Sequence, residues 1–335
     1  MLRFRRKTFS YFKEIGVSGP PPSFIWGNLW EYHRKAIPHC DWACEHFLAA
    51  VRKIASSGKE ENVDRLFKPL AMDYISGGFG IQNCFQEEPT HPLFLTAKKV
   101  LPGIMTGPFH MMRRHIKVEK KLTPTEVSVN TAILLTAGFS TTSVALSNLS
   151  FVLAKYPEVQ DKIREEVNAA VRKHGSINYA AVTEDLKYLS NVVDETMRVY
   201  SVVVAFSTRS ALNDFEYKGI EYKAGMSIMS PTLEVHKDPK YWPEPEKFDP
   251  DRFLPKNVAE RHTMAYQPFG QGPRNCVGKR LALLAVNYTA ARMVHQFRLE
   301  LGESQQEKNE MLFYAMICEP KDGPWIKFSK IASTS

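Results

Sequence analysis

Apolar residues along this chain recur mostly at spacings of three and four, the period of a helix rather than of a strand. The clearest stretch runs from Pro157 to His174, where Val159, Ile163, Val167 and Val171 lie four apart and Gly175 supplies a stop. Upstream, Thr123-Pro124-Thr125-Glu126 reads as a helix start with an N-cap threonine, proline at the first helical position and a capping-box glutamate. Gly138 is the only breaker before Tyr156-Pro157. The pattern therefore predicts one helix of about 33 residues, roughly 50 Å long at 1.5 Å per residue. Further helices are expected over residues 41–54, over 62–75 ahead of Gly77-Gly78-Phe79-Gly80, and over 185–200. A last helix is expected over 277–297, with Leu281, Leu284, Ala285, Tyr288 and Ala291 on one face.

The remaining segments are short or irregular. Residues 215–222 alternate around Gly219 as a hairpin would, and the proline-rich passage that follows, through Pro255, must be irregular. Residues 89–108 carry four prolines and read as loop or short helix. Ser18-Gly19-Pro20-Pro21-Pro22 is a stiff, non-helical hinge. The expected class is mainly α with small β-sheets, without internal repeats.

Composition narrows the partners. With 335 residues, 44% of them apolar and 24% charged, the chain is ordinary globular material with ample apolar content for a core. Five cysteines, an odd number spread over a long chain, point to reduced thiols and a cytosol-facing compartment. The formal net charge of +8 is distributed along the sequence and no nucleic-acid motif accompanies it, so nucleic acid is not an expected partner. Met1-Leu2-Arg3-Phe4-Arg5-Arg6-Lys7 interleaves basic and apolar residues and suits peripheral contact with an anionic membrane. No run of about 20 apolar residues is visible, so no membrane-spanning helix is expected.

The densest chemistry lies in Phe269-Gly270-Gln271-Gly272-Pro273-Arg274-Asn275-Cys276-Val277-Gly278. A single cysteine stands in a glycine-punctuated loop. Glycines let backbone approach a flat ligand without Cβ interference, and the helix start behind it offers N–H groups that favour a negative sulfur. Alone, the cysteine also fits a buried structural role. The stretch resembles the haem-binding loop of the cytochrome P-450 family, F-x-x-G-x-R-x-C-x-G, at every specified position. The resemblance implies a cytochrome P-450-like fold with haem b as cofactor and Cys276 as the axial thiolate on its iron. It implies Phe269 packed beside the sulfur, Gly270 and Gly278 making room, and Arg274 paired with a haem propionate.

Three other stretches extend it. Glu195-Thr196-Met197-Arg198 places opposite charges three apart on one helix face, by itself a common surface pair. It matches the family's E-x-x-R, whose third partner corresponds to Arg252 in Phe248-Asp249-Pro250-Asp251-Arg252-Phe253, so a buried structural charge network is implied. Ala137-Gly138-Phe139-Ser140-Thr141-Thr142 resembles the oxygen-binding groove A-G-x-x-T. There Gly138 would leave room over the haem and Thr141 would hold dioxygen and a water for protonation. A small-residue patch for helix packing is the other reading of the same residues. Ser140 departs from the Asp or Glu usual before that threonine, which helps relay protons. Arg209, ten residues before Gly219, matches the arginine that reaches the second propionate. The order of Glu234-Val235-His236-Lys237-Asp238-Pro239-Lys240-Tyr241-Trp242 is similar to the animal branch that includes drug- and steroid-oxidising enzymes and thromboxane synthase.

By this resemblance residues 1–335 form a single domain, with 1–22 a basic, proline-rich lead-in and 123–328 the best-matched haem-binding core. By this resemblance the fold is expected to be incomplete, without the family's W-x-x-x-R helix, its first-sheet strands and the substrate-access lid. The implied function is a haem-thiolate monooxygenase that inserts one oxygen atom from O2 into a lipophilic small molecule. Its electrons would come from NADPH through a reductase docking near Lys279 and Arg280, at the cytosolic face of the endoplasmic reticulum membrane. The second reading is a catalytically impaired haem-binding or interaction protein that keeps the thiolate core. Competing motifs fail: Gly138 to Thr142 lacks the second glycine of a nucleophile elbow, Gly272 and Gly278 are too far apart for a Walker loop, and Cys276 has no CxxCH neighbour. His39, Cys40, Cys44 and His46 have soft ligands at helical spacing, without a second ligand pair nearby in sequence to complete a zinc site.

Overall fold

The computed structural model describes residues 29–78, 84–95, 97, 124–272, 275–305, 308–314 and 316–331. The basic lead-in and proline hinge, Thr123 and Arg274 lie outside them. Helix α1 (Leu29–Ser57) reaches the three-residue strand β1 (Glu60–Asn62), and α2 (Asp64–Gly78) follows. Asn62 belongs to the strand rather than to the expected helix, because its Oδ1 accepts the Asp64 N–H at 3.1 Å and so marks where α2 begins. α1 is longer than its pattern and runs through Pro38. Its first turns hold Trp30-Glu31-Tyr32-His33-Arg34, a W-x-x-x-R spacing on a helix, so the expected lack of that motif is corrected. Its register is set further on, where Cys40, Cys44, Phe47, Leu48 and Val51 bury one face.

Helix α3 (Pro124–Lys155) is the spine. Over its second half Val144, Leu146, Leu149, Phe151, Val152 and Leu153 are buried on all sides, the signature of a helix enclosed by protein. The stretch Asn130–Lys155 is long and apolar enough to cross a membrane, contrary to the expectation from composition, but 67% of its most apolar window is buried within the protein. It is a core helix. α4 (Pro157–His174) has the expected bounds, with Pro157 in its first turn and Gly175 at φ 74° donating its N–H to Val171 O at 2.8 Å. α5 (Lys187–Val199) and α8 (Lys279–Gln296) close the bundle, and of the predicted α8 face Leu284, Ala285, Tyr288 and Ala291 are buried while Leu281 is half-buried.

The strands are short. β2 (Phe206–Ser210) pairs antiparallel with β5 (Ser227–Ser230), and β3 (Phe215–Tyr217) with β4 (Ile220–Tyr222). The β3–β4 hairpin turns on Lys218 at φ 51° and Gly219 at φ 77°, the left-handed pair that a two-residue hairpin demands. Three short helical pieces fill the proline-rich passage: α6 (Thr232–Lys237), a 3-10 turn (Pro250–Phe253) and α7 (Pro255–Glu260). The sequence pattern missed the strands after α8. β6 (Phe297–Leu301) and β9 (Trp325–Lys330) pair antiparallel, with Leu299 opposite Phe328, and β1 adds to the other edge of β9. β7 (Met311–Tyr314) pairs with β8 (Ile317–Pro320).

One buried cluster joins α1, α2, α3, α4, α5, α8, β6 and β9. Gln160 locks part of it: its Nε2 donates to Leu153 O and Leu299 O, and its Oε1 accepts from Leu299 N and Arg164 Nη2, all between 2.8 and 3.0 Å. A fully satisfied buried amide of this kind fixes α3, α4 and β6 against one another.

Candidate functional site

Glu195 and Arg198 stand one turn apart on α5, both wholly buried. Arg198 Nε and Nη2 donate to the two Glu195 oxygens at 2.7 and 2.8 Å, a fork-to-fork pair. The remaining donors reach His236 O at 3.0 Å and Lys247 O at 3.2 Å, and Asp249 N–H donates to Glu195 Oε1 at 2.9 Å. Arg252 completes the expected trio at 3.5 Å from Glu195 and anchors itself on Pro243 O and Glu244 O. Burial pushes the Glu195 carboxyl above its usual range, and the Arg198 guanidinium opposes that rise. The knot ties α5 to the proline-rich passage.

Two residues that the sequence left without a role continue it. His236 receives Arg198 through its carbonyl, while its ring Nε2 accepts Gln267 N–H at 3.0 Å and its Nδ1 lies 2.9 Å from Ser201 Oγ. Burial, with Arg198 and Arg261 close by, pushes this imidazole down to about 3, so it is neutral and Nδ1 carries the hydrogen. Arg261 lies over the Trp242 ring at 4.2 Å and over Phe253 at 4.7 Å, and donates to Arg252 O at 3.0 Å. The available signal was His236 inside the aromatic and proline order of residues 234–242. A lone histidine is more often a satisfied core residue than a participant, so it did not stand out.

Gln267 opens the cysteine loop, and its carbonyl accepts Gly270 N–H at 3.0 Å. Cys276 N–H donates to Phe269 O at 2.8 Å and Asn275 N–H to Gly272 O at 3.1 Å, so the loop folds back and sets the cysteine beside Phe269. Gly270 (φ 69°) and Gly272 (φ 79°) take the left-handed conformation these reversals need. Gly278 shows no such need: it caps α8 at an ordinary φ of −85°, and a Cβ there would make only an ordinary contact, 3.8 Å from Cys276 Sγ. Arg209 Nη2 donates to Gln271 O at 3.2 Å, which brings a guanidinium onto the loop. Lys279 Nζ lies 5.8 Å from the Phe269 ring centroid.

The groove residues of α3 are arranged less simply. Thr141 is half-buried and its Oγ1 donates to Ala137 O at 2.7 Å, a back-bond within the helix. Leu134 and Ala137 are exposed, and Gly138, Thr141 and Ala145 are half-buried, at the spacing of one stripe. Ser140, turned by one residue from Thr141, is buried on the protein side. The space in front of Gly138 is occupied, since a Cβ there would come within 2.7 Å of Ile75 Cδ1 on α2. This glycine therefore permits close packing of two helices. Two clefts, of about 340 and 590 Å³, have neither Cys276 nor Thr141 in their walls.

The profile of the Cytochrome P450 family matches residues 108–326, well over half of the chain. The chain belongs to the cytochrome P450 family. It is similar to the thromboxane-A synthase of Rattus norvegicus, 36% identical over 62% of this chain and 39% of that protein. Cytochrome P450 3A13 of Mus musculus is 39% identical over 54% of this chain and 36% of its own length. The lithocholate 6-beta-hydroxylase of Mesocricetus auratus is 33% identical over 62% and 41%. The chain thus spans about two-fifths of the curated relatives it matches, and its fold is mainly helical and P450-like.

P450 membership implies haem held by a cysteine thiolate, and the donors present fit such a group. Cys276 is half-buried on its loop. Cys40, Cys44 and Cys318 are buried in the core, and burial pushes their thiols up to about 12, 12 and 11. A thiol, a guanidinium and an aromatic ring on one P450 loop form a donor set suited to a metal-bearing, carboxylate-edged macrocycle.

Proposed function

We propose that this P450 chain takes part in haem-thiolate monooxygenation of a lipophilic small molecule, with electrons delivered from NADPH by a reductase. When bound, a thiolate-ligated haem supplies the chemistry that places one atom of O2 in a substrate and releases the other as water. The chain's own residues serve that chemistry in separable ways. Cys276 Sγ would hold the haem iron, and the Phe269 carbonyl fixes the cysteine backbone. Arg209, and Arg274 outside the described residues, carry the positive charge that propionates need. Thr141 Oγ1, now bonded to Ala137 O, is the proton-bearing group on the open stripe of α3. Ser140 in place of an acidic residue leaves that hydroxyl without a neighbouring carboxylate at the preceding position. Lys279 and Arg280, exposed at the start of α8, offer a basic surface to an acidic flavoprotein. The endoplasmic reticulum membrane is the location proposed by likeness to the animal P450 relatives.

The observation that carries this reading is the looped Cys276 anchored through Gln267 and His236 to the buried knot at Glu195 and Arg198. One observation favours the second reading, a haem-binding protein without turnover: Ile75 fills the space at Gly138. The test is the spectrum of the reduced, carbon-monoxide-bound protein. A strongly red-shifted Soret band that disappears in Cys276→Ser is expected, and absence of haem uptake would sink both readings. NADPH-dependent product formation with added reductase then separates them, since haem binding without product selects the second.

A further inference from the structure

His46 on α1 and Cys84 and Glu87 on the turn after α2 bring an imidazole, a thiol and a carboxylate within 4.8 Å of one another. Zinc takes nitrogen, sulfur and oxygen donors of these three kinds. The soft-ligand run around residue 46 thus finds its partners some forty residues downstream, where spacing along the sequence could not show them. Cys40 and Cys44, the nearer sulfur atoms in sequence, are buried in the core instead.

The geometry of the trio is held from outside it. His46 Nδ1 lies 2.9 Å from Trp42 O, so Nδ1 donates there and the lone pair of Nε2 is left available. Ligating histidines are oriented by this kind of bond from the second ring nitrogen to a carbonyl. His46 Nε2 is 3.6 Å from Glu87 Oε1, close to the roughly 3.4 Å that separates two ligands on a tetrahedral zinc at about 2.1 Å. Cys84 and Glu87 share one turn, in which Glu87 N–H and Glu88 N–H donate to Cys84 O at 3.2 and 3.0 Å. Asp73 clamps that turn to α2, accepting Phe85 N–H at 2.7 Å and Gln86 Nε2 at 2.8 Å, and Gln86 also reaches Ala43 O on α1 at 2.9 Å.

We propose that His46, Cys84 and Glu87 form a three-ligand zinc site with its fourth position open to solvent. On binding, the Cys84 S–H bond breaks, its proton passes to solvent and a sulfur–metal bond forms. One thiolate and one carboxylate then balance the two charges of the ion. The site staples α1 to the turn after α2.

Cobalt(II) is the probe, titrated into the full-length chain and followed by absorption and by tryptophan fluorescence, to which Trp42, whose ring lies 4.6 Å from that of His46, contributes. One equivalent should give a sulfur-to-cobalt charge-transfer band, quench the fluorescence and be displaced by zinc. Cys84→Ser should abolish the band and Cys276→Ser should leave it. Glu87→Gln, on an exposed side chain that the fold does not need, should weaken binding by at least about tenfold. A missing band, a band that survives Cys84→Ser, or affinity unchanged in Glu87→Gln would each overturn the site, the last even if the cysteine variant does not fold.

Discussion

The buried knot on α5 and the open stripe on α3 serve the same candidate site and are built to opposite specifications. Around Arg198 every donor nitrogen has a partner, and Glu195 and Arg198 are 0% exposed. Along α3, Ile133 and Leu134 are 45% and 39% exposed, and Thr141 spends its hydroxyl on its own helix. A charged group taken out of water must find all its partners within the chain. An apolar face reserved for a ligand need not. Of the buried side-chain atoms described in the first region only the Arg252 Nε lacks a hydrogen bond, while the second leaves an apolar face open, and substitutions should separate the two.

The largest effect is expected at the knot. Arg198→Ala leaves the Glu195 carboxylate buried without its guanidinium and strips the partners from His236 O and Lys247 O, so stability should fall by about 3–5 kcal/mol. Urea unfolding of the haem-free chain measures it. Replacing both partners, Glu195→Leu with Arg198→Met, should recover part of the loss, but not all, because Asp249 N–H and the two carbonyls stay unpaired. If Arg198→Ala unfolds within 1 kcal/mol of the parent, the knot is not what holds the cysteine loop's scaffold.

Next comes the pH response of His236. Its folded value, about 3, lies below the ordinary 6.5, so the unfolded chain takes up the proton more readily between those limits. The stability contributed by the neutral ring is fully present above about 6.5 and is lost as pH falls toward 3, at up to about 1.4 kcal/mol per pH unit. Asp194, pushed by burial up to about 6 while Tyr266 donates to it at 2.9 Å, works in the other direction and is common to parent and variant. His236→Gln should therefore be less stable than the parent at pH 7, with the gap in Tm narrowing steadily toward pH 4. A gap independent of pH would mean that the imidazole is not held neutral in the fold.

The knot and the stripe also differ in how far the sequence disclosed them. Glu195, Arg198 and Arg252 were legible because a three-residue spacing on a helix and a third arginine in a set order leave little freedom, and the structure joins all three. The long helix and α4 were legible from proline and glycine punctuation, with the bounds of α4 met residue for residue. Residues 297–301 and 325–330 went unread, since strands of five and six residues pair only with partners distant in sequence, and nothing local marks Leu299 as opposite Phe328. His236 was hidden for the same reason: its importance lies in Gln267 N–H, 31 residues away. Gly138 was legible as an oddity within a helix, but not what fills the space beside it.

That glycine gives a smaller effect. Gly138→Ala gains about 1 kcal/mol of helix propensity and must displace Ile75 Cδ1 from 2.7 Å, which costs about 1–3 kcal/mol if the core resists. The net change is small, and the coupling is the informative quantity. A double-mutant cycle with Ile75→Val should show the two positions coupled by about 1 kcal/mol. Additivity would mean that Ile75 swings aside freely and that the space over Gly138 can open to a ligand.

Thr141 should show the smallest effect on stability and the greatest contrast with Thr136, five residues back on the same helix. Thr136 and Thr141 make the same back-bond, to Ala132 O at 2.8 Å and to Ala137 O at 2.7 Å. Thr136 is buried and Thr141 faces the open stripe. Thr136→Ala removes packed atoms and should cost about 1–2 kcal/mol. Thr141→Ala removes a hydroxyl that competes with the helix and installs the best helix former, so its unfolding free energy should stay within about 0.5 kcal/mol of the parent. If the Thr141 hydroxyl carries protons in the proposed reaction, the haem-loaded variant should bind haem as the parent does but form less product per NADPH consumed. Equal product yield with equal stability would leave the stripe as a binding face alone, and the difference between the two regions would then be one of exposure rather than of chemistry.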